Sequence, residues 1–399
     1  MTTAQDPVAL AVQCAERFAP RAAGYDVDAT FPAQDVADLR ASGLLGLLVP
    51  QRLGGMGAGF EQYTKVAMAL ARGSGSTALI FNMHASVTGA LAGVPEDLAR
   101  ELGAPESFFA ERDRMLAAAV DGALYGVAIT ERGAGSRLSA MQTTFEPTGD
   151  GYRLRGEKSV ATGAGHVTAY LVPARALDGG EDPRVSYFLV PHGDGTTVRE
   201  TWNPLGMRAT ASHGLTLDVR VDRSALVGGV EGLAVLLAYA MPQWLVASYA
   251  AVYVGVAQAV VAEALEYVGA RTVAGQPGGL ASVGFIRGRL GRCDAQVEAA
   301  RLAVLEAGRR VDAAPGDPET NRAVYRAKLL AGDAAMDVAA SCSEACGLGA
   351  LGRGSTLERL FRDARSGAIM PPSSDLCADV LGTAALNLDP MTGSEVRPW

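Results

Sequence analysis

The spacing of apolar residues changes twice along the chain, and the changes divide it into three parts. Up to about Leu124 the spacing is helical. Pro32 suits a first helical position, Val36 and Leu39 recur three residues apart, and Gly43 ends the turn. Between Phe60 and Ala71, Tyr63, Val66, Ala67 and Leu70 share one face ahead of Gly73. From Tyr125 to about Val221 the texture turns to short β-runs: Tyr170-Leu171-Val172, Tyr187-Phe188-Leu189-Val190 and Leu215-Thr216-Leu217, set between Gly, Asp and Pro turns. From about Gly232 onward, long Ala-, Leu- and Val-rich helices return. No repeat or low-complexity linker intervenes. The pattern predicts an α+β chain: a helical domain over 1–124, a middle β-domain over 125–228 and a four-helix bundle over 229–399.

Composition narrows the class. The 399 residues are long enough for two or three domains with substantial cores, and 49% hydrophobic with 20% charged residues marks a globular protein. A net charge of -8, with no Lys/Arg cluster, argues against nucleic acid as a partner. Five cysteines (Cys14, Cys293, Cys342, Cys346 and Cys377) lie scattered without C-x-x-C pairs, which argues against a metal site or a disulfide framework. Reduced thiols and the lack of a basic, apolar start lead to the expectation of a cytoplasmic protein. Gly232 to Ala262 carries no charge and is long enough to span a membrane. Pro242 and Gln243 interrupt it, Ser248 and Gln258 lie within it, and its flanks are acidic (Glu231, Glu263, Glu266), so a helix buried within the bundle, with no membrane, is the expected reading.

The most informative stretch runs from Ala128 to Gly163. It begins Ala128-Ile129-Thr130-Glu131-Arg132-Gly133-Ala134-Gly135-Ser136, turns at Gly149-Asp150-Gly151, and continues Gly156-Glu157-Lys158-Ser159-Val160-Ala161-Thr162-Gly163. A strand runs into a glycine loop, and a second strand pair returns with another hydroxyl. Gly133 and Gly135 let backbone N–H groups approach a ligand closely, while Thr130, Ser136 and Thr162 offer adaptable hydrogen bonds. Such donors beside flat apolar surface suit a flavin.

This order of motifs closely resembles the middle domain of the acyl-CoA dehydrogenase superfamily, with its T-E-x-G-A-G-S loop and later G-x-K-x-x-x-T segment. The resemblance spans nearly the whole chain. Upstream it takes in Phe31-Pro32, Leu44 to Pro50 and Gly54-Gly55-Met56-Gly57; downstream, Leu205-Gly206-Met207-Arg208-Ala209-Thr210 and Arg359 to Arg365. It implies an acyl-CoA dehydrogenase-like fold whose middle part is a small β-barrel or β-domain, and FAD as cofactor. By the same resemblance, Ile129, Thr130, Gly135, Ser136 and Thr162 hold the flavin, Ser136 reaching its pyrophosphate, and Ser373 is a further pyrophosphate contact. Arg271, followed by Gly275, and the turn at Gly347 and Gly349 resemble elements that serve a neighbouring subunit's cofactor, which implies a homo-oligomer, expected to be a tetramer.

The chain also departs from the family. Val160 stands where a tryptophan commonly stacks near the flavin, and Glu344 where a glutamine precedes the glycine turn. Pro371 occupies the place of the glutamate that takes the substrate α-proton, and the alternative position on the preceding helix aligns with Leu245. Neither side chain is a base. Two candidates remain for catalytic acid–base work: Asp375, otherwise a first-turn helix acid, and His84, which matches a histidine of the oxygen-activating branch and is otherwise a hydrogen-bonded core residue. His213 and Arg208 are substrate-cleft candidates. Three readings follow: a dehydrogenase of a small-molecule or carrier-bound acyl thioester with an electron-transfer partner, a monooxygenase fed by a flavin reductase, or a flavin-binding scaffold. The breadth of the resemblance favours the first, and the intact cradle argues against the third.

Overall fold

The computed structural model describes residues 6–178, 184–244 and 246–388. Leu245 lies outside them. The N-terminal helices are α1 (Pro7–Asp28), α2 (Ala33–Ala41), α3 (Phe60–Gly73), α4 (Gly75–Ala92), α5 (Glu96–Glu101) and α6 (Glu106–Val120). Local chemistry sets their starts: Asp6 accepts the Val8 N–H ahead of Pro7, and Ser74 accepts the Thr77 N–H. Pro32 falls at the N-cap of α2, one residue before the position expected for it.

Among the described residues seven strands follow: β1 (Tyr125–Val127), β2 (Thr144–Pro147), β3 (Gly151–Ala161), β4 (Ala169–Ala176), β5 (Val185–Pro191), β6 (Thr196–Arg199) and β7 (His213–Asp222). They form one mixed sheet in the order β1-β4-β2-β3-β7-β6, with β5 paired to β4. Strand β3 runs antiparallel to β7 from Gly151↔Asp222 to Lys158↔Leu215, then shifts register before Ala161↔His213. Bulges re-aim side chains at the rim of a sheet, and this one precedes Thr162.

The C-terminal part comprises α7 (Ala234–Ala240), α8 (Ala247–Ala270), α9 (Gly284–Ala313), α10 (Pro318–Cys346), α11 (Thr356–Ala364), α12 (Ser366–Ile369) and α13 (Ser374–Ala385). Helices α8, α9 and α10 pack on one another, and the fourth column of the bundle is broken into α11, α12 and α13. The uncharged stretch is not one helix but is broken at Pro242–Trp244 into α7 and α8: the most apolar window, within Pro242–Ala270, is 88% buried inside the protein, whereas Leu236 of α7 is 53% exposed. All five cysteines are buried and free.

Candidate flavin site

A cleft of about 540 Å³ opens where the sheet meets α4, α8, α11 and α12. Its sheet side is built from the glycine motif. Beyond β1 the chain reaches Ile129 and Thr130, then folds tightly: Glu131 and Gly135 exchange two backbone hydrogen bonds of 2.9 Å. Gly133 (φ 87°) and Gly135 (φ 63°) take left-handed backbone, and a Cβ at either would meet no atom within 4 Å. The loop therefore presents bare backbone to open space, as close approach of a planar ligand requires.

A buried ion pair supports this loop. Glu131, 4% exposed, receives Lys158 Nζ at 2.7 Å, the backbone N–H groups of Gln142 and Thr143 at 2.6 and 3.0 Å, and the Thr143 hydroxyl at 2.5 Å. Lys158 also donates to the Pro173 carbonyl at 2.8 Å. Burial pushes the Lys158 ammonium down to about 8 against the pull of Glu131; burial also opposes the Glu131 carboxylate, yet Lys158 and its donors hold it below the usual range. Both residues fall inside the sequence motif, but their partners come from the segment just before β2 and from β4, so their supporting role is invisible in the motif itself. Losing one partner would strand a buried charge.

Thr162 lies beyond the β3 bulge, and three hydroxyls run behind the cleft from it. Thr162 Oγ1 is 3.0 Å from Ser212 Oγ, which is 2.7 Å from Thr210 Oγ1. Thr210 donates to the Met207 carbonyl at 2.9 Å. Each hydroxyl has one proton, so this last bond orients the others: Ser212 donates to Thr210 and Thr162 to Ser212. Thr162 thereby turns acceptor lone pairs toward the cleft.

The remaining walls are largely apolar. Met83 comes from α4, Tyr249 from α8, Tyr187 from β5, and Trp202 and Leu205 from the segment before β7. Arg362 and Arg365 bring the charges. Gly206 fits tightly, since a Cβ there would lie 2.1 Å from the Arg362 carbonyl oxygen. Arg362 is locked by Asp26 (2.9 and 2.6 Å) and Glu358 (2.6 and 3.0 Å). The Tyr187 hydroxyl is buried without a hydrogen-bond partner among the described residues, and burial raises it far above its ordinary value. Tyr187 also lines a second, strongly apolar chamber of about 310 Å³ between α4 and α7.

Of the candidate residues, Ile129, Thr130, Ser136 and Thr162 converge on the cleft, with Gly135 in the adjoining loop. His84 does not. Its Nε2 donates to the Leu45 carbonyl at 2.7 Å, and its Nδ1 accepts the Tyr125 N–H at 3.1 Å. Both nitrogens are used by backbone, and burial lowers the imidazole to about 4, so it is a neutral core residue while the preceding Met83 faces the cleft. Asp375 is likewise displaced from the candidate chemistry: it sits exposed in the first turn of α13, the stabilising place for a helix acid. Ser373 caps that helix by accepting the Leu376 N–H at 3.3 Å and is not part of the cleft wall. His213 also lies off the wall; its Nδ1 accepts the Trp202 N–H at 3.1 Å. Arg208 lines a neighbouring recess instead.

Arg271, Gly347 and Gly349 are not part of the cleft wall, and Arg271 and Gly349 each lie beside Tyr267. The Arg271 guanidinium lies 6.0 Å from the centre of the Tyr267 ring, and a Cβ on Gly349 would lie 3.1 Å from the Tyr267 hydroxyl. Glu344 is paired with Arg289, so its charge is compensated.

The three-part fold and this cradle define a flavin-dependent oxidoreductase. Family models describing the N-terminal, middle and C-terminal domains of acyl-CoA dehydrogenase match residues 9–103, 126–219 and 246–385. A 3-sulfinopropanoyl-CoA desulfinase of Paraburkholderia xenovorans is 32% identical over 364 residues, 88% of this chain and 87% of that protein. A putative acyl-CoA dehydrogenase of Bacillus subtilis, YdbM, is 28% identical over 93% of this chain and 94% of its own length. Among solved structures, FMN-bound TdsC from Paenibacillus sp. A11-2 (23% identity, TM-score 0.84) covers 96% of this chain and 98% of its own. Butyryl-CoA dehydrogenase from Megasphaera elsdenii (24% identity, TM-score 0.84) covers 96% of this chain and 97% of its own. The chain belongs to the acyl-CoA dehydrogenase family, whose cofactor is FAD.

Proposed function

We propose that this enzyme oxidises a largely apolar substrate without removing an α-proton by a carboxylate or imidazole, and that it works as a reduced-flavin-dependent monooxygenase. One observation carries the reading: among the described residues, the cleft wall contains no Asp, Glu or His. A general base must reach its proton within hydrogen-bond distance. Pro371 is in the wall at the position where the sequence resemblance expects a glutamate, and the two acid–base candidates lie elsewhere.

Bound FAD supplies the redox chemistry, and the protein supplies the surroundings. Ile129, Thr130, Ser136 and the bare loop at Gly133 and Gly135 would hold it. Thr162 offers an acceptor toward the cleft, and the apolar walls exclude water. Tyr187 offers an unpaired phenol to a polar group on the substrate, and the chamber beyond it accepts an apolar extension. Electrons would come from a separate flavin reductase. The discriminating experiment is anaerobic mixing of the FAD-loaded enzyme with acyl thioesters: inertness there, with rapid oxygen consumption once the flavin is reduced, fits this reading.

A second reading, chemistry on an acyl-CoA thioester with an electron-transfer partner, is favoured by the 32% identical relative, which is a 3-sulfinopropanoyl-CoA desulfinase. Bleaching of the oxidised flavin by a thioester would select it. In either case we propose a homotetramer: Arg271 and Gly349 flank Tyr267 and, with Gly347, stand outside the wall of the chain's own cleft.

A further inference from the structure

Strand β5 sends successive side chains to opposite faces of the sheet. Ser186 and Phe188 share one face, where the Phe188 ring packs on Phe145 and Tyr152 at centroid distances of 5.0 and 5.1 Å. Tyr187 and Leu189 take the other face. Leu171 of β4, directly opposite Leu189, joins them there, and all three reach the apolar chamber between α4 and α7. Tyr187 is the one described residue that also stands in the wall of the flavin cleft, so its side chain marks the partition between the two cavities.

An apolar side chain would fill that place without penalty, whereas a tyrosine brings a hydroxyl that needs a partner when buried. The Tyr187 hydroxyl has none among the described residues, and the residue is only 5% exposed. Its surroundings offer little in exchange. Only Ser86 and Trp244 bring any other side-chain nitrogen or oxygen to the chamber wall, and the Ser86 hydroxyl already donates to the Asn82 carbonyl at 2.8 Å. Tyr249 of α8 brings a second phenol to the cleft wall. Burial raises both phenols, Tyr249 to about 12, so both stay neutral and keep their protons to donate.

We propose that Tyr187 is a specificity-determining residue: it selects a substrate with a hydrogen-bond-accepting oxygen, such as a carbonyl, placed between the part that reacts in the flavin cleft and an apolar part that fills the chamber. A buried donor discriminates sharply, because an analogue without the acceptor leaves the hydroxyl unpaired. The unpaired phenol is thus a cost to the empty protein that the right ligand removes. The inference rests on the cleft being the substrate site, as proposed above, and not on which flavin reaction follows.

The test is calorimetric titration of the FAD-loaded enzyme with phenyl alkyl ketones, propiophenone to hexanophenone, and with the matching alkylbenzenes. Wild type is compared with Tyr187→Phe, which removes one oxygen and keeps the ring. Saturable ketone binding is expected in wild type, weakened on the order of tenfold in the variant, with alkylbenzene binding unchanged or tighter. The infrared carbonyl stretch of the bound ketone should lie at lower wavenumber in wild type than in the variant, a shift that a packing role does not produce. The melting temperature of Tyr187→Phe should be unchanged or raised, since the hydroxyl gives up no bond inside the protein. Four results overturn the assignment: no saturable ketone binding across the series, equal losses for ketone and hydrocarbon, an unmoved carbonyl stretch, or a variant that melts several degrees lower. None of these measurements reads turnover, so bleaching of the flavin by a thioester would sink the oxygenase reading and leave the Tyr187 result standing.

Discussion

His84 and Leu45 are joined by a 2.7 Å hydrogen bond that takes the imidazole out of the active-site chemistry. The bond donates from Nε2 to the Leu45 carbonyl, and the Tyr125 N–H occupies Nδ1 from the other side. The histidine thus pins the turn after α2 and the start of β1 to helix α4. His84→Phe leaves a buried carbonyl and a buried N–H unpaired, at a cost of about 2–5 kcal/mol in stability. The variant should still bind FAD and react, as denaturant unfolding and flavin absorbance would report. Loss of flavin chemistry in a fully folded variant would return His84 to the catalytic list.

The same residue gives a pH signature. Its folded pKa, about 4, lies below its ordinary 6.5, so between these values the unfolded chain binds a proton that the folded chain refuses. The stability it confers is complete above pH 6.5 and falls as pH drops toward 4, by about 3 kcal/mol. Unfolding wild type and His84→Phe across that range isolates the effect, because other titrating groups are common to both. Parallel profiles would contradict the neutral assignment.

Thr130 and Ser136 line the cleft on either side of the glycine loop. Replacing them together by Val and Ala should weaken FAD by about 2 kcal/mol, roughly one per lost hydrogen bond, or about thirtyfold in Kd. Unchanged affinity and an unchanged spectrum would mean that the flavin is held elsewhere.

Ser212 controls the direction of the Thr162 hydroxyl. Ser212→Ala removes the acceptor to which Thr162 donates and frees that proton to point into the cleft. An acceptor there favours a flavin nitrogen carrying hydrogen, as in the reduced form; a donor favours the oxidised form. The two-electron potential of bound FAD should therefore become more negative by about 20–30 mV, equivalent to roughly 1 kcal/mol. A redox titration with indicator dyes measures it, and a shift to more positive potential would reverse the inferred proton order.

Assembly is a separate expectation. Light scattering at micromolar concentration should give four times the 41.2 kDa chain mass, and Arg271→Glu should reduce flavin retention although Arg271 is not in the wall of its own cleft. A monomer that holds FAD with full affinity would exclude a shared cofactor site.

The division into helices, sheet and bundle was legible in the sequence because each part keeps one apolar period over many residues. The loop that borders the cleft was legible too, since Thr130, Gly133, Gly135 and Ser136 fall within one short segment. His84 was not. Helix α4 is buried almost all round, so its pattern carries no orientation, and one residue's rotation exchanges Met83 for His84 at the cleft. The Thr162–Ser212–Thr210 chain and the Asp26–Arg362 lock escaped for another reason: each joins segments distant in sequence, with Asp26 and Arg362 separated by 336 positions. Short-range spacing holds no record of such pairings.

In the proposed oxygenase chemistry no carboxylate or imidazole base acts in the cleft. Anaerobic stopped-flow mixing of the FAD-loaded enzyme with saturated acyl-CoA thioesters of varied chain length addresses it directly. The expected result is an unchanged oxidised flavin band for every thioester, followed by rapid reoxidation when the chemically reduced enzyme meets oxygen. Rapid bleaching by any saturated thioester would demonstrate α-proton removal in this cleft and contradict the account.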